Sequence, residues 1–85
     1  MKHAGPGAIR ALAPVLQDLR KLDDLTEKKP GVFYRRSKAF LHFHEDPEGL
    51  FADVRFADAG AFERYRVSTA VERKQFVARV RKALK

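Results

Sequence analysis

The chain has 85 residues, 45% of them hydrophobic, and is therefore long enough for one small domain around one core. The absence of cysteine excludes disulfide scaffolds, thiol catalysis and cysteine-ligated zinc sites. The net charge of +7 is segregated, because residues 39–62 carry net −4 while the segments before and after them carry net +5 and +6. Such a basic balance permits nucleic acid or another anionic partner without requiring one.

No segment approaches the roughly 18 consecutive apolar residues of a membrane span. Near the N-terminus Arg10 and Pro14 interrupt the apolar run, which argues against a signal peptide. Together with the lack of cysteine, these features predict a cytoplasmic protein without a membrane partner. We expect residues 1–7, which include two Gly and one Pro, to form a flexible N-terminal tail, and residues 8–85 to form a single small α+β domain.

The first helix is predicted from apolar residues between Ile9 and Leu22 that recur at spacings of three and four, which places them on one helical face. Proline is tolerated best in a first helical turn. Pro14 therefore predicts a firm helix over about residues 14–27, with a looser turn before it. Pro30 and Gly31 are expected to end this helix.

Extended structure is predicted for four segments rich in aromatic and β-branched residues. Residues 39–45 and 50–56 have the clearest pattern, and residues 32–36 and 62–67 are shorter segments of the same kind. The sequence EDPEG between the two central segments predicts a hairpin loop, because Pro47 presets a turn and Gly49 supplies a permissive backbone after it.

Side chains alternate between the two faces of a strand, so the hairpin has an apolar face and a mixed one. Leu41 and Phe43 belong to the apolar face. If the loop closes between Asp46 and Gly49, His42 lies opposite Asp53. His44 then lies opposite Phe51, and Phe40 opposite Arg55. We call the mixed side the hairpin face, and its predicted members are Phe40, His42, His44, Phe51, Asp53 and Arg55.

The last segment, residues 68–85, is predicted to be a second helix. Thr69 and Glu72 form the T-x-x-E pattern of a capping box, and an apolar stripe follows. The expected fold is an α+β two-layer sandwich in the order α-β-β-β-α, with a mostly antiparallel three-stranded sheet and two helices on one face.

Two quoted stretches, PGVFYRRSKAFLHFHEDPEGLFADVR and RYRVSTAVERKQFVARVRKAL, resemble a family of small bacterial proteins called "luciferase-like domain". The resemblance spans most of residues 14–84 and implies a strand with an H-x-H motif, a short turn and an acidic strand. His42, His44 and Asp53 fall on those motif positions. The resemblance implies no characterised catalysis, and the chain is too short for the barrel of a flavin-dependent luciferase. The connection between the acidic strand and the last strand departs from the family pattern, because it is shorter here.

One hypothesis for the hairpin face is a divalent-metal site formed by His42, His44 and Asp53. Two imidazoles at i and i+2 on a strand project the same way, about 6.5–7 Å apart along the backbone. A carboxylate opposite them would complete a 2-His-1-carboxylate arrangement suited to zinc, iron or manganese. Alternatively, the same residues form the solvated face of an amphipathic hairpin, with a modest cross-strand pair between His42 and Asp53. That pair also has the chemistry of a general acid and base, but no serine or cysteine nucleophile accompanies it.

Two phenylalanines, Phe40 and Phe51, are predicted on this otherwise polar face. Neighbouring aromatic side chains indicate a covered patch. The cover is either a partner, such as a second copy in a homodimer, or another segment of the same chain.

The C-terminal helix offers a second candidate surface, with basic residues that suit phosphate contacts. The candidate residues are Arg73, Lys74, Arg79, Arg81 and Lys82. Tyr34, Tyr65 and Arg35 add groups on which bases stack. No recognised nucleic-acid motif accompanies them, and a solvated charged helix face has the same composition.

The leading prediction is therefore a small binding or association domain without catalysis or a bound cofactor of its own, working through the hairpin face. Nucleic-acid binding by the C-terminal helix is the first alternative, and the metal site is the second.

Overall fold

A six-stranded antiparallel sheet forms one layer of the structure, a computed structural model that describes residues 2–57 and 60–84. Its strands are β1 Lys2–His3, β2 Leu25–Lys29, β3 Val32–Arg35, β4 Lys38–Asp46, β5 Gly49–Val54 and β6 Glu63–Arg66. The order across the sheet is β2-β3-β4-β5-β6, and β1 pairs with β4 beyond the end of β3.

Helices form the second layer, on one face of the sheet. They are α1 Pro6–Ala11, α2 Ala13–Arg20 and α3 Ala70–Ala83. The apolar stripe of α2 and that of α3 join the inward side chains of the sheet in a single core. Its most enclosed large members are Leu12, Leu16, Leu19, Phe33, Leu41, Phe43, Val54, Val67 and Val80. The α+β class with helices on one side therefore agrees with the prediction, whereas the three-strand count and the simple element order are corrected.

The first helical region is shorter than predicted. α2 begins at Ala13 with Pro14 in its first turn, as expected, but it ends at Arg20. Residues 25–27, the predicted end of this helix, instead belong to strand β2, which pairs with β3. The reason lies in Pro30 and Gly31, which form a tight turn between two strands, with Gly31 at a φ of +79°. Proline followed by glycine is typical of a type II turn, and here it closes a hairpin instead of ending a helix.

The expectation of a flexible tail over residues 1–7 is also corrected. Lys2 and His3 pair with Glu45 and His44 of β4, and α1 begins at Pro6. The Ala4 N–H donates to the Phe43 carbonyl at 3.2 Å, which extends this pairing. Met1 lies outside the described residues, as does Lys85 at the end of the predicted second helix.

The central hairpin has the predicted register. His42 lies opposite Asp53, His44 opposite Phe51, and Asp46 opposite Gly49. Leu41 and Phe43 point into the core and are almost fully buried. The capping box at the start of α3 is present as well, between Thr69 and Glu72.

Phe40 departs from the alternation and is not on the hairpin face. Phe33 pairs with Leu41 but Tyr34 pairs with Ala39, so Phe40 is the extra residue of a β-bulge. The bulge turns Phe40 into the core, where it is 3% exposed and lies 6.3 Å, centroid to centroid, from the Phe56 ring. The cover for this phenylalanine is therefore the chain itself.

Within the described ranges 2–57 and 60–84, the helices are too short and too polar for any of them to cross a membrane.

Candidate functional site

The face of the sheet opposite the helices carries the candidate site. β4 projects His42 and His44 from this side, and β1 lies beside β4 so that His3 is the direct neighbour of His44. One ring nitrogen from each of these three histidines lies within 4.8 Å of the other two. We call this group the histidine cluster. It contains every histidine of the sequence.

The rings of the cluster approach one another closely. The Nδ1 of His42 and the Nε2 of His44 are 2.5 Å apart, and the two ring centroids are separated by 4.6 Å. The His3 ring centroid lies 5.1 Å from that of His44 and 5.9 Å from that of His42. His3 is exposed and the other two are partly buried, so the cluster opens to solvent on the His3 side.

Asp53 lies beside the cluster on the neighbouring strand. Its Oδ2 is 3.1 Å from His44 Nε2. Arg64 on β6 donates to both carboxylate oxygens, from Nε at 2.8 Å and from Nη2 at 3.1 Å. His42 was predicted to pair with Asp53 and does lie opposite it on the neighbouring strand. The ring nitrogen within hydrogen-bonding distance of the carboxylate, however, belongs to His44.

The protonation of the cluster follows from this environment. Burial lowers the pKa of His42, and the adjacent His44 ring lowers it further against the opposing effect of Asp53. Burial also lowers the pKa of His44, again with Asp53 acting in the opposite direction. The hydrogen bonds from Arg64 hold the pKa of Asp53 below its usual range. At neutral pH the two partly buried imidazoles are therefore uncharged and the carboxylate is ionised, which are the forms that bind metals.

The hydrogen bonding of His44 is unsatisfied in either neutral tautomer. Its Nε2 faces both His42 Nδ1 and Asp53 Oδ2, and a neutral imidazole has a single N–H to donate. Its Nδ1 is buried without a hydrogen bond of acceptable geometry among the described residues, although the Lys2 backbone is close enough to favour the protonated ring. A cation at Nε2 removes this conflict, because it satisfies the lone pairs that converge there and leaves the proton on Nδ1.

Two further side chains form one wall of the site. The Phe62 ring lies 5.0 Å from the His42 ring, and the Arg55 guanidinium stacks 4.9 Å over Phe62. Arg55 also donates to the Ala39 carbonyl at 2.9 Å, which fixes its position. Phe51, opposite His44, is partly buried on the same face.

Five of the six predicted members of the hairpin face thus share one side of the sheet, and Phe40 is the exception. Sequence reasoning missed His3, Phe62 and Arg64. For His3 a signal was present, because it is the third histidine in a chain with only three. His3 lies near His44 only because β1 pairs with β4, and the sequence of residues 1–7 has no strand pattern from which that pairing could be predicted.

The basic residues of the C-terminal helix are not equivalent. Arg73 donates to the carbonyls of Val67 and Ser68, at 3.0 and 2.9 Å, and so supports the chain that enters α3. Arg79 stacks over the Tyr65 ring at 4.9 Å. The remaining three, Lys74, Arg81 and Lys82, are exposed.

Comparison of the chain with protein-family models, with curated proteins and with solved structures found no match, so the resemblance to the luciferase-like domain family stays a prediction.

Proposed function

We propose that this protein binds a divalent transition metal through His3, His42 and His44. The observation that carries the proposal is the convergence of three imidazole nitrogens within 4.8 Å of one another, on strands separated by about half of the chain. Histidine rings placed by chance rarely turn one nitrogen each toward a common point, because partly buried lone pairs without donors are unfavourable.

The dimensions fit a first-row metal ion. Zinc–imidazole bonds are about 2.0–2.1 Å long, so ligand atoms in a tetrahedral site are about 3.3 Å apart. His42 Nδ1 and His44 Nε2 are 2.5 Å apart, and all the nitrogens lie within 4.8 Å of one another. A bound ion would therefore separate the His42 and His44 rings slightly and draw the exposed His3 ring inward. Imidazole ligands suit zinc, copper, nickel and iron, whereas calcium and magnesium prefer oxygen.

Metal binding is the second alternative drawn from the sequence, with His3 as an added ligand, and it uses two residues of the hairpin face. A metal held by these three side chains would tie the N-terminal strand to the hairpin.

The test is a calorimetric titration of the purified, chelator-treated protein with zinc, together with metal analysis after dialysis. We expect about one zinc per chain. His42→Ala and His44→Ala should each weaken binding by more than about 100-fold, because loss of an outer-shell partner alone typically weakens it 10- to 100-fold. Glu48→Gln on the exposed hairpin turn is the control and should bind like the parent protein. Substoichiometric zinc, or equal binding by the parent and His42→Ala, would refute the proposal.

A second candidate function is nucleic-acid binding by α3, supported by the exposure of Lys74, Arg81 and Lys82 along one helix. Removing these charges should weaken binding to a generic duplex DNA and reduce the slope of log affinity against log salt by up to about three units. Fluorescence anisotropy at two salt concentrations measures both. Equal binding by the parent protein and the triple Ala variant, or no binding at low salt, would exclude α3 as a nucleic-acid surface.

A further inference from the structure

Asp53 is the one charged residue that is buried among residues 2–57 and 60–84, with 8% of its surface exposed. It lies on the side of the sheet that no helix covers, so its burial comes from the side chains around it. A buried carboxylate is stable only with a cation or with several donors. The cation here is Arg64, whose two hydrogen bonds occupy both carboxylate oxygens.

The same carboxylate also faces the histidine cluster. Asp53 Oδ2 lies 3.1 Å from His44 Nε2, close to the separation of about 3.3 Å expected for two ligand atoms of one tetrahedral metal. His44 Nε2 is in turn 2.5 Å from His42 Nδ1. His44 Nε2 thus has a carboxylate oxygen on one side and a ring nitrogen on the other. The group of ligand atoms within 4.8 Å of one another comprises His3, His42 and His44, so the Asp53 carboxylate would have to turn toward an ion bound there.

We propose that Asp53 is the fourth protein ligand of this metal and that Arg64 is its alternative partner, which the metal displaces. This inference rests on the proposed metal binding. In the metal-free protein the Arg64 guanidinium neutralises the buried carboxylate. When a divalent ion binds at the cluster, Asp53 Oδ2 turns from the guanidinium to the metal, and Arg64 releases at least that hydrogen bond.

Arg64 is suited to such an exchange because it has room to leave. Its side chain is 53% exposed, whereas that of Asp53 is 11% exposed, so the arginine can move into water while the carboxylate turns to the ion without leaving its buried position. A divalent ion attracts the carboxylate more strongly than a monovalent guanidinium does, because its charge is twice as large and its distance is shorter. The exchange forms and breaks no covalent bond.

The consequence for function is a site with four protein ligands, three nitrogens and one oxygen. Closed four-ligand sites are typical of structural zinc, whereas catalytic zinc keeps one position for water. The metal would then tie β1, β4 and β5 together and leave the freed Arg64 available on the surface of β6.

Arg66 provides a matched control for the test. It is also on β6, two residues further along and on the same face, and its side chain is 54% exposed. Its partner is Glu72 rather than Asp53. Replacing either arginine with alanine removes one positive charge from the same surface, but only Arg64→Ala frees the Asp53 carboxylate.

Zinc affinities of the parent protein, Arg64→Ala and Arg66→Ala are measured by the same calorimetric titration. We expect Arg64→Ala to bind zinc about 3- to 10-fold more tightly than Arg66→Ala, because the ion no longer competes with a guanidinium. Equal affinities, or weaker binding by Arg64→Ala, would overturn the exchange. Weaker binding would mean that Arg64 holds Asp53 in place as a hydrogen-bond partner of His44.

Cobalt spectra of the parent protein and Asp53→Asn give an independent readout of the fourth ligand. Replacement of a carboxylate ligand should shift the visible absorption bands of bound cobalt and weaken binding. An unchanged spectrum with Asp53→Asn would remove Asp53 from the ligand set. These outcomes are separable from the proposed function: if the parent protein binds metal and His42→Ala does not, the histidine site stands even when both Arg64→Ala and Asp53→Asn behave like the parent protein.

Discussion

Glu27 connects three parts of the fold through one side chain. Arg20 at the end of α2 donates to both of its oxygens, from Nε at 2.5 Å and from Nη2 at 3.0 Å. The Gly31 N–H, in the turn between β2 and β3, donates to the same carboxylate at 3.2 Å. Glu27 thereby anchors the helical layer to the strand that the sequence pattern had assigned to a helix.

The hydrogen bond from Arg20 holds the pKa of Glu27 below its usual value of 4.5. A carboxylate with a lowered pKa contributes stability that is present above the usual value and is lost as the pH falls through the lower one. Glu27→Gln should therefore reduce the free energy of unfolding at pH 7 by at most about 1 kcal/mol, since Arg20 is half exposed. The difference from the parent protein should shrink as the pH falls below 4.5.

Urea unfolding at pH 7 and at several acidic pH values measures this difference. Glu48→Gln, which changes an exposed carboxylate without such partners, is the control. A gap between Glu27→Gln and the parent protein that stays constant down to acidic pH would contradict an ionic role for Glu27.

Among the elements, α3 depends most clearly on local chemistry. The Thr69 hydroxyl oxygen accepts from the Glu72 N–H at 3.1 Å, and the Glu72 carboxylate accepts from the Thr69 N–H at 3.0 Å. The same carboxylate accepts from the Ser68 N–H at 3.0 Å. These bonds satisfy backbone donors that a helix start leaves without partners.

Thr69→Ala should lower the free energy of unfolding by about 1 kcal/mol, because it removes the side-chain acceptor of the cap. Val71→Ala in the first turn of α3 is a matched control, since Val71 is 64% exposed and its loss should change stability by less than about 0.5 kcal/mol. Chemical denaturation of both variants provides the measurement. Equal effects of the two substitutions would show that the cap does not stabilise the helix.

The β-bulge in β4 determines which side chains of that strand face the histidine cluster. It absorbs Phe40 into the core and restores the alternation one residue later, so that Leu41 stays buried while His42 faces outward. Bulges are common beside functional sites because they redirect a side chain without breaking the sheet. The bulge here separates the apolar start of β4 from its histidine-bearing end.

At the scale of the whole molecule, the segregated charges of the sequence become neighbours in the sheet. Lys2 from the first basic segment lies 3.8 Å from Glu45, and Arg64 from the last basic segment binds Asp53. Both acidic residues belong to the central segment with net −4. Part of the basic balance is therefore structural, because these two cations pair with acidic side chains across the sheet.

Short sequence patterns were sufficient to predict the central hairpin and the start of α3. The alternation of Leu41, His42 and Phe43 and the loop between Asp46 and Gly49 determined which side chains face outward, because a one-residue slip would expose the apolar set. The capping box was equally local. Each of these depends on residues within a few positions of one another.

Tertiary structure alone decided how the histidine cluster is assembled and which residues lie beside it. His3 joins His42 and His44 only because β1 adds to the edge of β4, and Arg64 reaches Asp53 only because β6 lies beside β5. The assignment of residues 25–29 to strand β2 likewise came from pairing with β3. The physical reason is the same in each case. A strand is stabilised by hydrogen bonds to a segment far away in the sequence, and the residue pattern of the short strand does not indicate which segment that is.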